Sequence, residues 1–448
     1  MIKKLALSGG RAVGATLVLT LGVLMVASCS GSKSEEKKES APTAPAKDWT
    51  KEKVELTFYY MHSDDIEKTF NESIAPRITK KYPNFTLKYM RNFKGTTLAE
   101  VTAAKTNIDF FAGLGATLVT AKDYGYLGDV TDLVKTYKID LDKFEPTSIN
   151  IMKTITGGGI PGFPQKINST ALYYNKDLFD KFGVPYLTDN MTWDNVLDTA
   201  RKLTRVDGGA QYYGLGLHVG NLMLVGDTAP KLLDATNHAA LNNDYWKKMF
   251  DRLLPLASIS NDAKARNDLA NYTNSFKMFH TDRTVAIQVA NNTVHTLISA
   301  NAPTMKWDIA QFPTFPDMPK AGPQPAPYYY YVSKTSPNRE AAFLAIAELV
   351  NDANQLDAAT KGNVPSFKDR SLLNSLGTAE PSLQGKNVKA YVPKTYSEIT
   401  VLDPYASQAN SALVAAFYDV VAGKKDAVTS LRDAQEAANK KIDELLKK

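Results

Sequence analysis

A chain of 448 residues, 44% hydrophobic and 22% charged, can bury more than one core, because single cores stop growing near about 250–300 residues. Its 53 basic residues exceed the 47 acidic ones by six, and they are scattered rather than clustered between aromatics, which argues against a nucleic-acid partner. A lone cysteine excludes a disulfide within the chain and a thiolate metal centre.

That cysteine, Cys29, ends the first recognisable element. Lys3, Lys4 and Arg11 are followed by an uncharged run of 17 residues, 12–28, closing on Val26, Ala27 and Ser28. A positive start, a short apolar stretch and small residues before the cut describe a secretory signal, and a cysteine as first mature residue can carry lipid. The run is short for a membrane span, which takes about 20 apolar residues. The reading is a lipoprotein signal peptide over 1–28 with Cys29 as lipid anchor. Losing the signal takes the formal charge from +6 to +3. Residues 29–48 lack aromatic and large aliphatic side chains, as in a disordered tether. The folded part, 49–448, is thus expected on the extracellular face of a cell membrane, in a Gram-positive envelope.

Along the folded part, VELTFYY (54–60) alternates like a half-buried strand, and 64–81 follows with Ile66, Phe70, Ile74 and Ile78 at helical steps. Residues 85–91 predict a second strand, 96–106 a helix and 107–111 a third strand. The pattern resumes with a strand at 171–174, helices at 176–182 and 192–203, and a strand at 212–218. Strands at 285–289, 307–311 and 328–332 follow, then a helix at 338–350. From 351 the chain is expected to be helical, closing on an amphipathic helix at 426–446. Strands alternating with helices predict an α/β fold with mainly parallel sheets in two lobes. In such sheets ligands bind beyond the carboxyl ends of the strands, here the loops at 62–65, 113–115, 165–169, 218–221 and 291–292.

The strings ALYYNKDLF (171–179), GVP (183–185) and TWD (192–194) resemble the signature of the family 1 extracellular solute-binding proteins of ABC importers. GYLGDVTDL (125–133), TDRTVAI (281–287), SPNREAA (336–342) and GNVP (362–365) resemble further family segments, with Asp282 and Val285 as departures. Together they cover nearly all of 54–445. The resemblance implies a monomeric two-lobed receptor of the periplasmic-binding-protein type, without cofactor, metal or catalysis, that closes on a sugar and passes it to ABC permease subunits. It also implies discontinuous lobes: about 50–167 with 288–327, and about 168–287 with 328–448. The chain should cross between them near 166–171, 285–289 and 327–331.

A sugar needs planar polar partners for its hydroxyls and rings for its C–H faces. Asp64 matches a family contact position, although Asp64 or Asp65 could equally cap a helix; His62 shares the loop. Asp109 lies in the third strand and Gly113 just after it. Asn168 stands where the family hinge points a polar group into the cleft. His218 and Asn221 follow a second-lobe strand, and Asn291 follows another, unless the Asn291–Asn292 pair caps a helix at Thr293. Trp193 belongs to the TWD packing motif, so stacking falls to tyrosines such as Tyr330 in the run 328–331, or Tyr405. Zinc-protease, nucleophile-elbow and phosphate-loop motifs are absent. The competing readings are a receptor for a peptide or other small solute, and a secreted glycan-acting enzyme with two opposed carboxylates.

Overall fold

Among the described residues, ten strands sort into two five-stranded sheets. The computed structural model describes residues 47–226, 230–320, 322–400 and 403–447; Cys29, the signal and the tether through residue 46 lie outside them. The first sheet holds β1 (Val54–Tyr60), β2 (Phe85–Arg91), β3 (Phe110–Leu114) and β4 (Gly162–Asn168). The second holds β5 (Thr170–Asn175), β6 (Arg205–Asp207), β7 (Ala210–Gly216), β8 (Val285–Asn291) and β9 (Trp307–Ala310). The last strand, β10 (Ala326–Val332), returns to the first sheet, giving the orders β2-β1-β3-β10-β4 and β6-β7-β8-β5-β9. Both sheets are mixed. β1 runs parallel to β2 and β3, and β7 parallel to β8, while the remaining pairings are antiparallel.

This pairing redraws the expected lobes. β8 and β9 flank β5, so 285–310 belongs to the second lobe, and β10 lies between β3 and β4 in the first. Residues 285–289 are therefore the middle of a sheet and not a crossing. The chain crosses at Ser169 between β4 and β5, again between β9 and β10, and a third time after the helix Asp352–Thr360, which packs on β4. Beyond it, Val388–Tyr391 packs on β5 and β9.

The first lobe closes over one apolar cluster and the second over two, one on each side of β5. In the first, Phe58 lies 5.3 Å from Phe70 and 5.2 Å from Phe110, ring to ring. Each such side chain contributes roughly 1.5–3 kcal/mol on burial. The expected helix over 64–81 begins only at Glu67 and widens into a π turn at Phe70–Ile74. Ala75 N–H reaches back five residues to Phe70 O, just before Pro76, which has no N–H to offer. The stretch 361–400 is not continuously helical. Gly362, Gly377 and Gly385 take positive φ there, a conformation that ends helices, and only short 3-10 turns form at Arg370–Ser375, Pro381–Leu383 and Val388–Tyr391. Long helices resume at Pro404–Val421 and Ala427–Leu446.

The first crossing is locked by one buried side chain. Asn292, 1% exposed, accepts a hydrogen bond from Ser169 N–H at 2.9 Å and donates its own N–H to Ser169 O at 2.8 Å. Replacing it by alanine orphans a buried donor, so Asn292→Ala should lower unfolding free energy by about 1–3 kcal/mol. Urea titration measures this, and an unchanged midpoint would mean that the clamp does not hold the hinge.

Candidate ligand-binding cleft

At the junction of the lobes lies a cavity of ≈ 240 Å³. The first lobe supplies Leu114 from the end of β3, Gly115 and Ala116 from the helix Gly115–Asp123, and Ile151 from the helix Pro146–Thr156. Asn168 and Thr170 come from either side of the hinge residue. Asn221 comes from the short helix Val219–Met223 that follows β7, Asn291 from the carboxyl end of β8, and Gln324 to Pro327 with Ile399 complete the wall.

Three of the polar groups form one network. Asn221 Nδ2 donates to Thr170 Oγ1 at 2.8 Å and to Asn291 Oδ1 at 3.0 Å, while Thr170 Oγ1 donates to Asn291 Oδ1 at 3.3 Å. The network fixes the amide orientations and leaves Asn291 Nδ2 and Asn221 Oδ1 without a partner among the described residues. Asn168 Oδ1 is buried and likewise has no partner among the described residues. A buried acceptor in that state costs about 1–3 kcal/mol, which a ligand hydroxyl would recover. Gln324 Nε2 is already engaged, donating to Glu398 O at 2.7 Å and Leu224 O at 3.0 Å, and so pins the second crossing to the segment around 398.

His218 supports the wall from behind. It caps the short helix Val219–Met223, its Nδ1 accepting from Asn221 N–H at 3.3 Å, and its ring lies 4.3 Å from that of Tyr272. Burial pushes its pKa from the ordinary 6.5 down to about 4, so the ring is neutral, with the proton on Nε2. His62 props the opposite wall: Leu114 N–H donates to its Nε2 at 3.4 Å, and burial lowers its pKa against the opposing pull of Asp64.

Asn168, Asn221 and Asn291 are thus brought together, with His218 and His62 immediately behind them. The other expected positions stand apart from the cavity. Asp64 takes the Tyr60 hydroxyl at 3.1 Å on both oxygens, and Asp65, its neighbour, accepts from Glu67 N–H as the local turn residue. Asp109 is fully buried at the start of β3, about 16 Å of strand away from Leu114. Its carboxylate is consumed by Thr57 N–H, Asn107 Nδ2 and Ser336 Oγ at 2.8, 2.9 and 2.6 Å. Gly113 is a packing requirement, since a Cβ there would meet Thr117 Oγ1 at 2.4 Å. Tyr330 is buried in the first core, paired with Ala112 and Phe163, and Tyr405 packs against the second core. Because β10 is antiparallel to β3, it is the start of the tyrosine run that lies by Leu114: Tyr328 is half-buried there, with Lys166 Nζ 5.7 Å above its ring. Asn291 and Asn292 divide the two roles foreseen for the pair, one facing the cavity and the other clamping the hinge. Thr170, Gln324 and the helix start at Gly115 are further wall residues; of these only Gly115 carried a signal, its place in a loop after a strand.

The depressed pKa of His218 has a definite sign for stability. The unfolded chain takes up this proton near pH 6.5 and the folded chain only near pH 4, so protonation favours unfolding, and stability falls as pH drops through that window. His218→Asn should flatten the fall between pH 7 and 4.5 in urea titrations. A slope equal to that of the parent would show that the ring titrates normally.

Residues 63–356 match the family of bacterial extracellular solute-binding proteins. A curated relative, the sn-glycerol-3-phosphate-binding periplasmic protein UgpB of Agrobacterium fabrum, is 28% identical over 155 residues, a third of this chain and a third of that protein. Among solved structures, a sugar transporter from Rhizobium etli in an open conformation superposes with a TM-score of 0.69 at 20% identity, over 86% of this chain and 99% of that one. An ABC substrate-binding protein of Listeria monocytogenes in complex with cycloalternan gives 0.66 at 18%, over 87% and 99%. With two mixed α/β lobes, a cavity at their junction and a family match over most of its length, the chain belongs to the bacterial extracellular solute-binding proteins.

Proposed function

We propose that this protein captures an uncharged sugar or oligosaccharide between its lobes and delivers it to the permease subunits of an ABC importer, held at the membrane by lipid on Cys29. The observation that carries the reading is the buried, unpartnered Asn168 Oδ1 beside the Thr170–Asn221–Asn291 network. Amides offer donors and acceptors in one plane, which suits adjacent hydroxyls, and Leu114, Ile151, Pro327 and Ile399 offer apolar surface for C–H groups. Every wall residue among those described is uncharged, which favours a neutral ligand over a phosphorylated one such as the ligand in UgpB's name. Structural relatives carry mannobiose, α-D-tagatose and D-mannitol.

Capture requires no bond to be made or broken. The ligand bridges side chains from both lobes, and contacts completed only in the closed form shift the hinge equilibrium towards it. Closure also removes the water that would compete for Asn168 and Asn221. The expected release of Cys29→Ser from the membrane belongs to the anchoring half of the proposal and is separable from capture.

A thermal-shift screen of mono- and oligosaccharides, with sn-glycerol 3-phosphate and short peptides as comparators, tests the reading. Ligand at 100 times its dissociation constant should stabilise the fold by about 2.7 kcal/mol. Asn168→Ala should weaken sugar binding about tenfold or more while leaving the free protein equally or more stable, since it removes an uncompensated acceptor. Shifts with peptides alone, sugar cleavage during incubation, or full affinity in Asn168→Ala would each contradict the proposal.

A further inference from the structure

A second cavity, of ≈ 350 Å³, shares no wall residue with the first. The hinge strand explains the separation: Ile167 lines the second cavity and Asn168 the first, as neighbouring strand residues point to opposite faces. Its walls come from both lobes. Phe367 packs on Phe144 of the first lobe at 5.0 Å between rings, whereas Leu373, Val392 and Tyr396 pack on the second-lobe cluster around Tyr173. Rotation about the hinge therefore changes the shape of this cavity as well as that of the cleft.

Its chemistry differs from that of the cleft. Ile167, Val364, Leu373 and Val392 give it an apolar floor, and Lys368, Arg370 and Lys394 stand at its rim. The two acids in the wall are already engaged: Glu145 accepts from Ser148 N–H at 3.0 Å, and Asp369 accepts from both Ser371 N–H and Ser371 Oγ at 2.8 Å. Neither Lys368 nor Lys394 pairs with an acid among the described residues. The Tyr396 hydroxyl is buried and faces Ser169 Oγ across the hinge. The three cations at the rim thus outnumber the two acids of the wall, and the floor is apolar.

We propose that this cavity binds a small amphipathic carboxylate, with its apolar body on the Ile167–Val392 floor and its charge among Lys368, Arg370 and Lys394, and that occupancy alters ligand capture in the cleft. The coupling half rests on the capture reading above. A molecule that fits the cavity better in one hinge state than in the other must shift the cleft's affinity, and the cleft ligand must shift its affinity by the same factor.

Titration calorimetry tests both halves on the mature chain carrying Cys29→Ser, so that no lipid is attached. The probes are indole-3-acetate and phenylacetate, with indole-3-acetamide and phenylacetamide as neutral controls. Saturable binding of at least one acid at one site is expected, weaker by about fivefold or more for the amides and in the Lys368→Glu/Lys394→Glu variant. Leu373→Trp, which fills the floor, should abolish it. Absence of saturable binding, equal binding of acid and amide, or full binding in the charge-reversed variant would overturn the site. With the acid saturating, the dissociation constant of the cleft sugar should change by about threefold or more; an unchanged constant would overturn the coupling. The acid titration needs no sugar, so the site stands or falls apart from the reading of the cleft.

Discussion

One residue, Ser169, separates β4 at the edge of one sheet from β5 of the other, and every functional feature follows from how little chain that leaves. With β4 ending at Asn168 and β5 starting at Thr170, the lobes cannot drift apart; they can only rotate about this short connection and the two longer ones. Asn292 fixes the connection by holding both the N–H and the C=O of Ser169. The neighbours on either side then have set directions: Asn168 and Thr170 face the cleft, and Ile167 faces away.

This geometry puts polar groups where water and ligand compete for them. In the cleft, the Thr170–Asn221–Asn291 network is satisfied internally just far enough to fix its orientation, and Asn168 Oδ1 is left over. A receptor that satisfied every group would have nothing left to offer, whereas one with many orphaned groups would unfold. The cost of one buried acceptor, about 1–3 kcal/mol, is affordable for a fold with two large cores and is recovered only when a donor arrives. The neutral state of His218 serves the same end, since protonation would take the Nδ1 lone pair that accepts from Asn221 N–H.

Much of this was legible in the sequence, and the losses have physical causes. Strands and helix starts with strong periodicity or a capping pattern were readable, as with VELTFYY and the Thr192 start, whose side chain caps Asn195 N–H at 3.3 Å. Asn168, Asn221 and Asn291 were readable because they follow strands. Lobe membership was not, because it depends on pairings between distant segments: β5 binds β8 across more than a hundred residues, with Leu172 opposite Val289. Asp109 was misplaced because the expected strand 107–111 is shifted three residues from β3, which runs Phe110–Leu114 and leaves Asp109 at the end away from the cleft. The tyrosine run showed its two faces by alternation, but only the antiparallel register of β10 decides that Tyr328, and not Tyr330, lies at the open end. The second cavity left no trace, since its walls are drawn from four separated stretches of chain.

The central claim is that ligand binding closes two lobes about the Ser169 hinge. Small-angle X-ray scattering of the mature chain, with and without the sugar identified by thermal shift, measures this most directly. A smaller radius of gyration and a shorter maximum dimension with sugar bound are the predicted result; superimposable curves at saturation would contradict the hinge account.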